Sequence, residues 1–126
     1  MNRFKTPVIR PVVWMGNAKK NILEFPDEVK KDIGDQLQLM QYGGMPRSAK
    51  PFKGVGSGVF EIVTDFKTNT YRTVVAVQIG QKIYVLHAFM KKSKKGIATP
   101  KSDVDLIKQR YGDAQEAARN EQKKKD

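Results

Sequence analysis

The residues in this chain best suited to chemistry are basic. The densest group is Lys91-Lys92-Ser93-Lys94-Lys95, which follows directly on the apolar run from Lys82 to Met90. A charge run is often only a solvated face. This one stands where a core strand ends and a helix signal begins, the rim position at which a sheet exposes functional residues. Repulsion within the run predicts lysine pKa values below the usual range, which suits one of them to proton transfer. Earlier, Tyr71-Arg72-Thr73-Val74-Val75-Ala76-Val77 reads as a mostly buried strand with Arg72 at its start. A strand-held guanidinium can bind a phosphate through two parallel N–H groups. It can equally form an ion pair with Glu61 or Asp65 on the preceding strand.

His87, in Val85-Leu86-His87-Ala88-Phe89, is the one histidine. Strict alternation places it on the same side as Val85, Phe89 and Lys91. There it is either a satisfied core residue or a proton carrier. Lys50 and Lys53 lie in a Pro- and Gly-rich stretch just before the central strands. These types together are enough for RNA cleavage without a metal. The RNA brings its own 2′-OH nucleophile, while the protein supplies cations for the phosphate and a group that moves protons. Lys50, Lys91, Lys92, Lys94 and Lys95 are the expected phosphate contacts.

Other chemistries drop out. With one histidine and no cysteine there is no zinc-ribbon ligand set, no Cys–His pair and no disulfide framework. No cofactor is expected. Gly54-Val55-Gly56-Ser57-Gly58 precedes a strand rather than a helix, so it reads as a flexible connector more than a nucleotide loop.

Bulk numbers agree with a polyanionic partner. The 126 residues suit one domain spanning the whole chain. They carry 24 Lys and Arg against 13 Asp and Glu, a net charge of +11. The excess is concentrated from Lys82 to Arg110, where Asp103 and Asp105 are the only acids. A merely soluble basic surface is the bland alternative. No apolar run approaches the roughly 20 residues that span a bilayer. The lack of cysteine fits a reducing, cytoplasmic setting without establishing it.

These groups need a scaffold, and its elements can be read in order. Val8 to Met15 reads as a strand that Pro11 confines to an edge or a bulge. Asn17 can cap a short helix carrying Ala18, Ile22 and Phe25 on one face. Pro26 opens a second helix burying Val29, Ile33, Leu37 and Met40, which Gly43-Gly44 ends. Met45 to Gly58 reads as loop. Val59 to Phe66, Tyr71 to Ile79 and Lys82 to Met90 read as an antiparallel meander. Thr99-Pro100 opens a last helix with Val104, Ile107 and Tyr111 inward, and 112–126 reads as a tail that extends the helix and then frays. The expected fold is α+β: a small twisted antiparallel sheet, two N-terminal helices on one face and a C-terminal helix. The other face is expected to be free for a ligand.

Several tracts also carry a family resemblance. Lys50-Pro51-Phe52-Lys53-Gly54, Gly58-Val59-Phe60-Glu61-Ile62, Tyr71-Arg72, Leu86-His87-Ala88-Phe89-Met90-Lys91-Lys92 and Thr99-Pro100-Lys101 resemble the phage-derived HigB-like branch of the RelE/ParE toxin superfamily. The resemblance runs from about Val12 to Tyr111. It implies a RelE-like fold and a metal-independent, ribosome-dependent mRNA endonuclease (an mRNA interferase), neutralised by a helix-turn-helix antitoxin. It matches Arg72 to the family's phosphate-binding arginine and Lys92 to a basic residue after the last central strand. Where well-known members have lysines before the Tyr-Arg pair, this chain has Glu61 and Val63. Where they have a C-terminal tyrosine, it has Thr99-Pro100. His87, Lys53 and Lys91 are the proton-transfer candidates in their place. Two other classes remain open, since fold does not fix function. One is a ParE-like toxin that binds DNA gyrase; the other is a non-toxic basic RNA- or DNA-binding module.

Overall fold

Three runs rich in Val, Ile and Tyr build the centre of the sheet, as their alternation predicts. The computed structural model of the chain describes residues 8–92 and 98–125. In order, its elements are β1 (Val12–Trp14), α1 (Ala18–Leu23), α2 (Asp27–Gln41), β2 (Ala49–Pro51), β3 (Val59–Phe66), β4 (Asn69–Ile79), β5 (Lys82–Lys92) and α3 (Lys101–Lys125). The fold is α+β, with a five-stranded sheet in the order β1-β5-β4-β3-β2. No described helix is long and apolar enough to cross a membrane.

Strands β3, β4 and β5 form the expected antiparallel meander, and β2 adds antiparallel to β3. Two strands depart from the reading of the sequence. The strand expected over Val8 to Met15 narrows to three residues and runs parallel to β5, pairing Val12 with Ile83. Pro11 has no N–H to give, but its carbonyl accepts from Ile83 N–H at 2.9 Å. Arg10 is spent on the carbonyls of Val77 and Lys82, so pairing does not extend towards Val8. The second departure is β2, which falls in a segment read as loop. Its sequence, Ala-Lys-Pro, has no alternation; only its register against Phe60 to Ile62 makes it a strand.

Helices α1 and α2 cover one face of the sheet. Ala18, Ile22, Val29, Ile33, Leu37 and Met40 pack there against Ile62, Tyr71, Val75, Ile83 and Val85. A Schellman motif closes α2, with Gly43 at φ +90°. Gly44 N–H bonds the Leu39 carbonyl at 2.9 Å and Gly43 N–H the Met40 carbonyl at 3.0 Å.

The opposite face is not left free. Ile107 and Ala114 of α3, both fully buried, join Val59, Val74, Ala76, Tyr84 and Leu86 in a second core. The helix extends past Gly112, as the sequence predicts, and runs to Lys125. Gly112 costs the helix about 1 kcal/mol relative to alanine, which the packing of Ala114 and Ala118 offsets. Among the described residues, the end of this face beyond the start of α3 is left uncovered by the helix.

Candidate functional site

The site is built by the register of three strands. On the face that carries α3, Glu61, Val74 and His87 lie in one row across the sheet, and Val63, Arg72 and Phe89 in the next. Asp65, Thr70 and Lys91 form a third row, and Lys50 of β2 extends the first as the direct partner of Glu61. A register shift between Val74/His87 and Val75/Val85 marks a bulge at Leu86. The extra residue breaks strict alternation. Val85 therefore belongs to the α1–α2 core, while Leu86 and Phe89 belong to the α3 side. His87 lies with Phe89 as expected, ring stacked on ring at 5.1 Å, but opposite to Val85.

Arg72 occupies the middle of this array. Its Nη1 donates to Oε1 of Glu61, with the two side chains 22% and 12% exposed. Its Nε is buried without an acceptor among the described residues. A buried donor left unpaired costs about 1–3 kcal/mol, so the guanidinium is fixed in place but not saturated. Lys91 stands close enough to sense both partners. Burial pushes its ammonium below the ordinary lysine range, the positive charge of Arg72 pushes it further the same way, and Glu61 opposes them. The sequence predicted this direction from repulsion among neighbouring lysines; desolvation and Arg72 are the causes. Two cations and one carboxylate thus share a partly exposed patch, where the exposed part of the Arg72 guanidinium and the Lys91 ammonium can meet a phosphate and a carboxylate can accept a proton.

His87 faces α3 rather than solvent and is 5% exposed. Its Nε2 lies 2.7 Å from Oδ1 of Asp103. Its Nδ1 lies 3.4 Å from Nη1 of Arg110. A guanidinium can only donate, so these partners assign the proton to Nε2 and leave Nδ1 to accept. Arg110 also donates to the Leu86 carbonyl at 3.0 Å and to Oδ1 of Asn17 at 2.7 Å. Asn17, expected to cap α1 with its side chain, instead makes this tie to α3. The network clamps α3 across the sheet, with the His87 ring stacked against Phe89, the cross-strand partner of Arg72.

The other expected site residues are more scattered. Lys50 is exposed on β2, in the row of Glu61. Lys53 is exposed beyond the Phe52–Val59 backbone bond, at the end of the sheet away from Lys91. Lys92 ends β5 opposite Asn69. Lys94 and Lys95 lie outside the described residues. The structure therefore brings Arg72, Lys91 and His87 to one face with Lys50 at its border, and leaves Lys53 apart. Sequence reasoning missed Glu61 as a site residue, treating it as a counter-ion or a departure. The available signal was the β3–β4 turn, whose length sets a register diagonal to Arg72.

A family model described as phage derived protein Gp49-like matches residues 20–112, well over half of the chain. The chain belongs to this Gp49-like family. The Gp49-like region runs from α1 into the first half of α3, and it contains Glu61, Arg72, His87 and Lys91. No curated protein matches the sequence. Among solved structures, the chain is similar to one of the toxin–antitoxin complex RelBE2 from Mycobacterium tuberculosis. The two are 15% identical with a TM-score of 0.47, over 70% of this chain and 98% of that one.

Proposed function

We propose that this protein is the toxin of a type II toxin–antitoxin pair and cuts mRNA on the ribosome without a metal. The observation that carries the reading is the partly exposed Arg72 guanidinium, held by Glu61 beside Lys91. The net charge of +11 supports a polyanionic target. The resemblance of Leu86 to Lys92 and of Thr99 to Lys101 to HigB-like toxins supports the ribosome as its setting and a helix-turn-helix antitoxin as its partner.

The chemistry is a transfer within the RNA. The scissile phosphate docks between Arg72 and Lys91, and Arg72 shifts part of its bonding from Glu61 to a phosphate oxygen. The freed Glu61 carboxylate takes the proton of the 2′-OH. The 2′-oxygen attacks phosphorus, the bond from phosphorus to the 5′-oxygen breaks, and Lys91 returns a proton to that leaving oxygen. The products are a 2′,3′-cyclic phosphate and a 5′-OH end. Arg72 stabilises the charge that develops on the phosphate. Lys91 donates more readily than an ordinary lysine because burial and Arg72 already disfavour its charged form. Lys50, Lys92, Lys94 and Lys95 guide the strand, and His87 holds α3 in place and stacks on Phe89 beside Arg72.

Induced expression of the wild-type chain is expected to arrest growth and to leave cut ends within translated mRNA. Arg72→Ala is expected to abolish both while remaining folded. Accumulation of gyrase–DNA complexes with intact mRNA would replace this reading with the gyrase-binding one. Normal growth with RNA binding alone would reduce the protein to a binding module.

A further inference from the structure

A groove on the α2 side of the sheet differs in character from the basic patch. It encloses about 670 Å³ between α2, the turn at 46–48 and the outer edge of β3. Its charge is inverted relative to the chain. Glu28, Asp32 and Asp35 of α2 line it with carboxylates, against the single basic residue Arg47. Asp32 is held rigidly at the wall. Its Oδ2 accepts from Thr64 Oγ1 at 2.6 Å and from Gln36 Nε2 at 2.5 Å. Lys31 partly offsets Asp35, through an exposed pair of little strength.

The groove also has an open hydrogen-bonding edge. β2 pairs with β3 only from Phe60 to Ile62. The N–H of Phe52 bonds the Val59 carbonyl at 2.8 Å, which fixes the phase of this ladder. Odd-numbered positions of β3 turn their backbone groups towards β2, so Val63 and Asp65 aim theirs outward beyond its end. No described strand covers them. The apolar component is Leu39, 46% exposed on the groove wall, with Tyr42 and Met45 exposed near the same end of α2.

We infer that this groove receives an extended, basic strand of a separate protein, which continues β2 along β3 from Val63 to Phe66. An added strand satisfies the free backbone groups and places alternate side chains on either side of the sheet. Lys or Arg at the positions facing α2 meets Glu28, Asp32 and Asp35, and the aliphatic stems of these side chains cover Leu39. The surface selects against nucleic acid, because its charge repels phosphate. Its carboxylates lie on the opposite face of the sheet from the Arg72 guanidinium, and the inference does not depend on nuclease activity.

The test uses the full chain, labelled with ¹⁵N, and the synthetic peptide acetyl-Lys-Val-Lys-Val-Lys-Val-Lys-amide, alongside the same peptide with Glu in place of each Lys. The lysine peptide is expected to shift amide resonances of Val63 to Phe66 and of α2, and to slow hydrogen exchange at Val63 and Asp65. Glu28→Lys with Asp35→Lys is expected to weaken binding about tenfold, while growth inhibition or RNA cleavage by that variant stays at the wild-type level. Several results would overturn the inference. They are equal binding of the glutamate peptide, shifts confined to the Lys91 face, displacement of the peptide by an RNA oligonucleotide, and self-association through the groove, which would make a second copy the occupant.

Discussion

Nε2 of His87 on β5 and Oδ1 of Asp103 on α3 stand 2.7 Å apart and join the sheet to the last helix. With Arg110 on its other nitrogen, the buried ring fixes the start of α3 against the α3-side core. His87→Ala leaves Asp103 and Arg110 without that partner, so we expect a loss of about 1–3 kcal/mol in denaturant unfolding. Hydrogen exchange should quicken in the first turns of α3 above all. Unchanged stability with abolished cleavage would instead make His87 a proton carrier.

Gly16 has φ +50°, and a Cβ on it would lie 2.4 Å from Nη2 of Arg110. Gly16→Ala therefore combines backbone strain with displacement of the Arg110 clamp. An incompatible alanine at positive φ costs more than the roughly 0.4–1 kcal/mol that a compatible one contributes. We expect a lower melting temperature and more rapid exchange around Asn17, Leu86 and Arg110.

Lys91→Met separates activity from folding. The folded state releases the Lys91 proton below the ordinary 10.5, so between the two values the unfolded chain binds more protons and stability rises with pH. The charged ammonium is thus disfavoured in the fold at neutral pH. Methionine should keep or slightly raise stability while cleavage falls. In the wild type, cleavage should decline on the alkaline side at lower pH than an ordinary lysine would dictate, because the protonated form supplies the acid.

Much of the fold was legible because its signals are local. The β-branched runs of β3 to β5, the Pro26 start of α2 and its Gly43-Gly44 stop are written in adjacent residues. The misses depend on distant partners. β2 is a strand only because β3 lies beside it, and the direction of β1 is set by β5. His87 was placed opposite its true neighbour because a bulge at Leu86 is a property of the β4–β5 pairing. α3 was read correctly as amphipathic, yet nothing along its sequence said which face of the sheet it would cover. For the site, Arg72 was evident from strand chemistry, and its choice between phosphate and Glu61 stayed open. The structure shows the Glu61 pair, and it leaves the guanidinium unsaturated.

Glu61 tests the division of labour at the site. Glu61→Gln keeps the shape and a hydrogen-bond acceptor for Arg72 but removes the proton acceptor. General-base catalysis is typically worth 10²–10⁴ in rate, so a loss of that order is expected with RNA affinity preserved or raised. A loss of folding instead would mark the pair with Arg72 as structural.

The most direct measurement is cleavage of a defined mRNA on purified translating ribosomes, read by primer extension, for wild type and Arg72→Ala. The account predicts cuts by the wild type at ribosome-bound positions, 2′,3′-cyclic phosphate ends, no need for added metal, and little cutting of the same RNA free in solution. Arg72→Ala should cut 10²–10³-fold more slowly, about 3 kcal/mol, and stay folded with a lowered melting temperature, because the buried Glu61 loses its partner. Full cleavage by folded Arg72→Ala, or none by the wild type under these conditions, would contradict it.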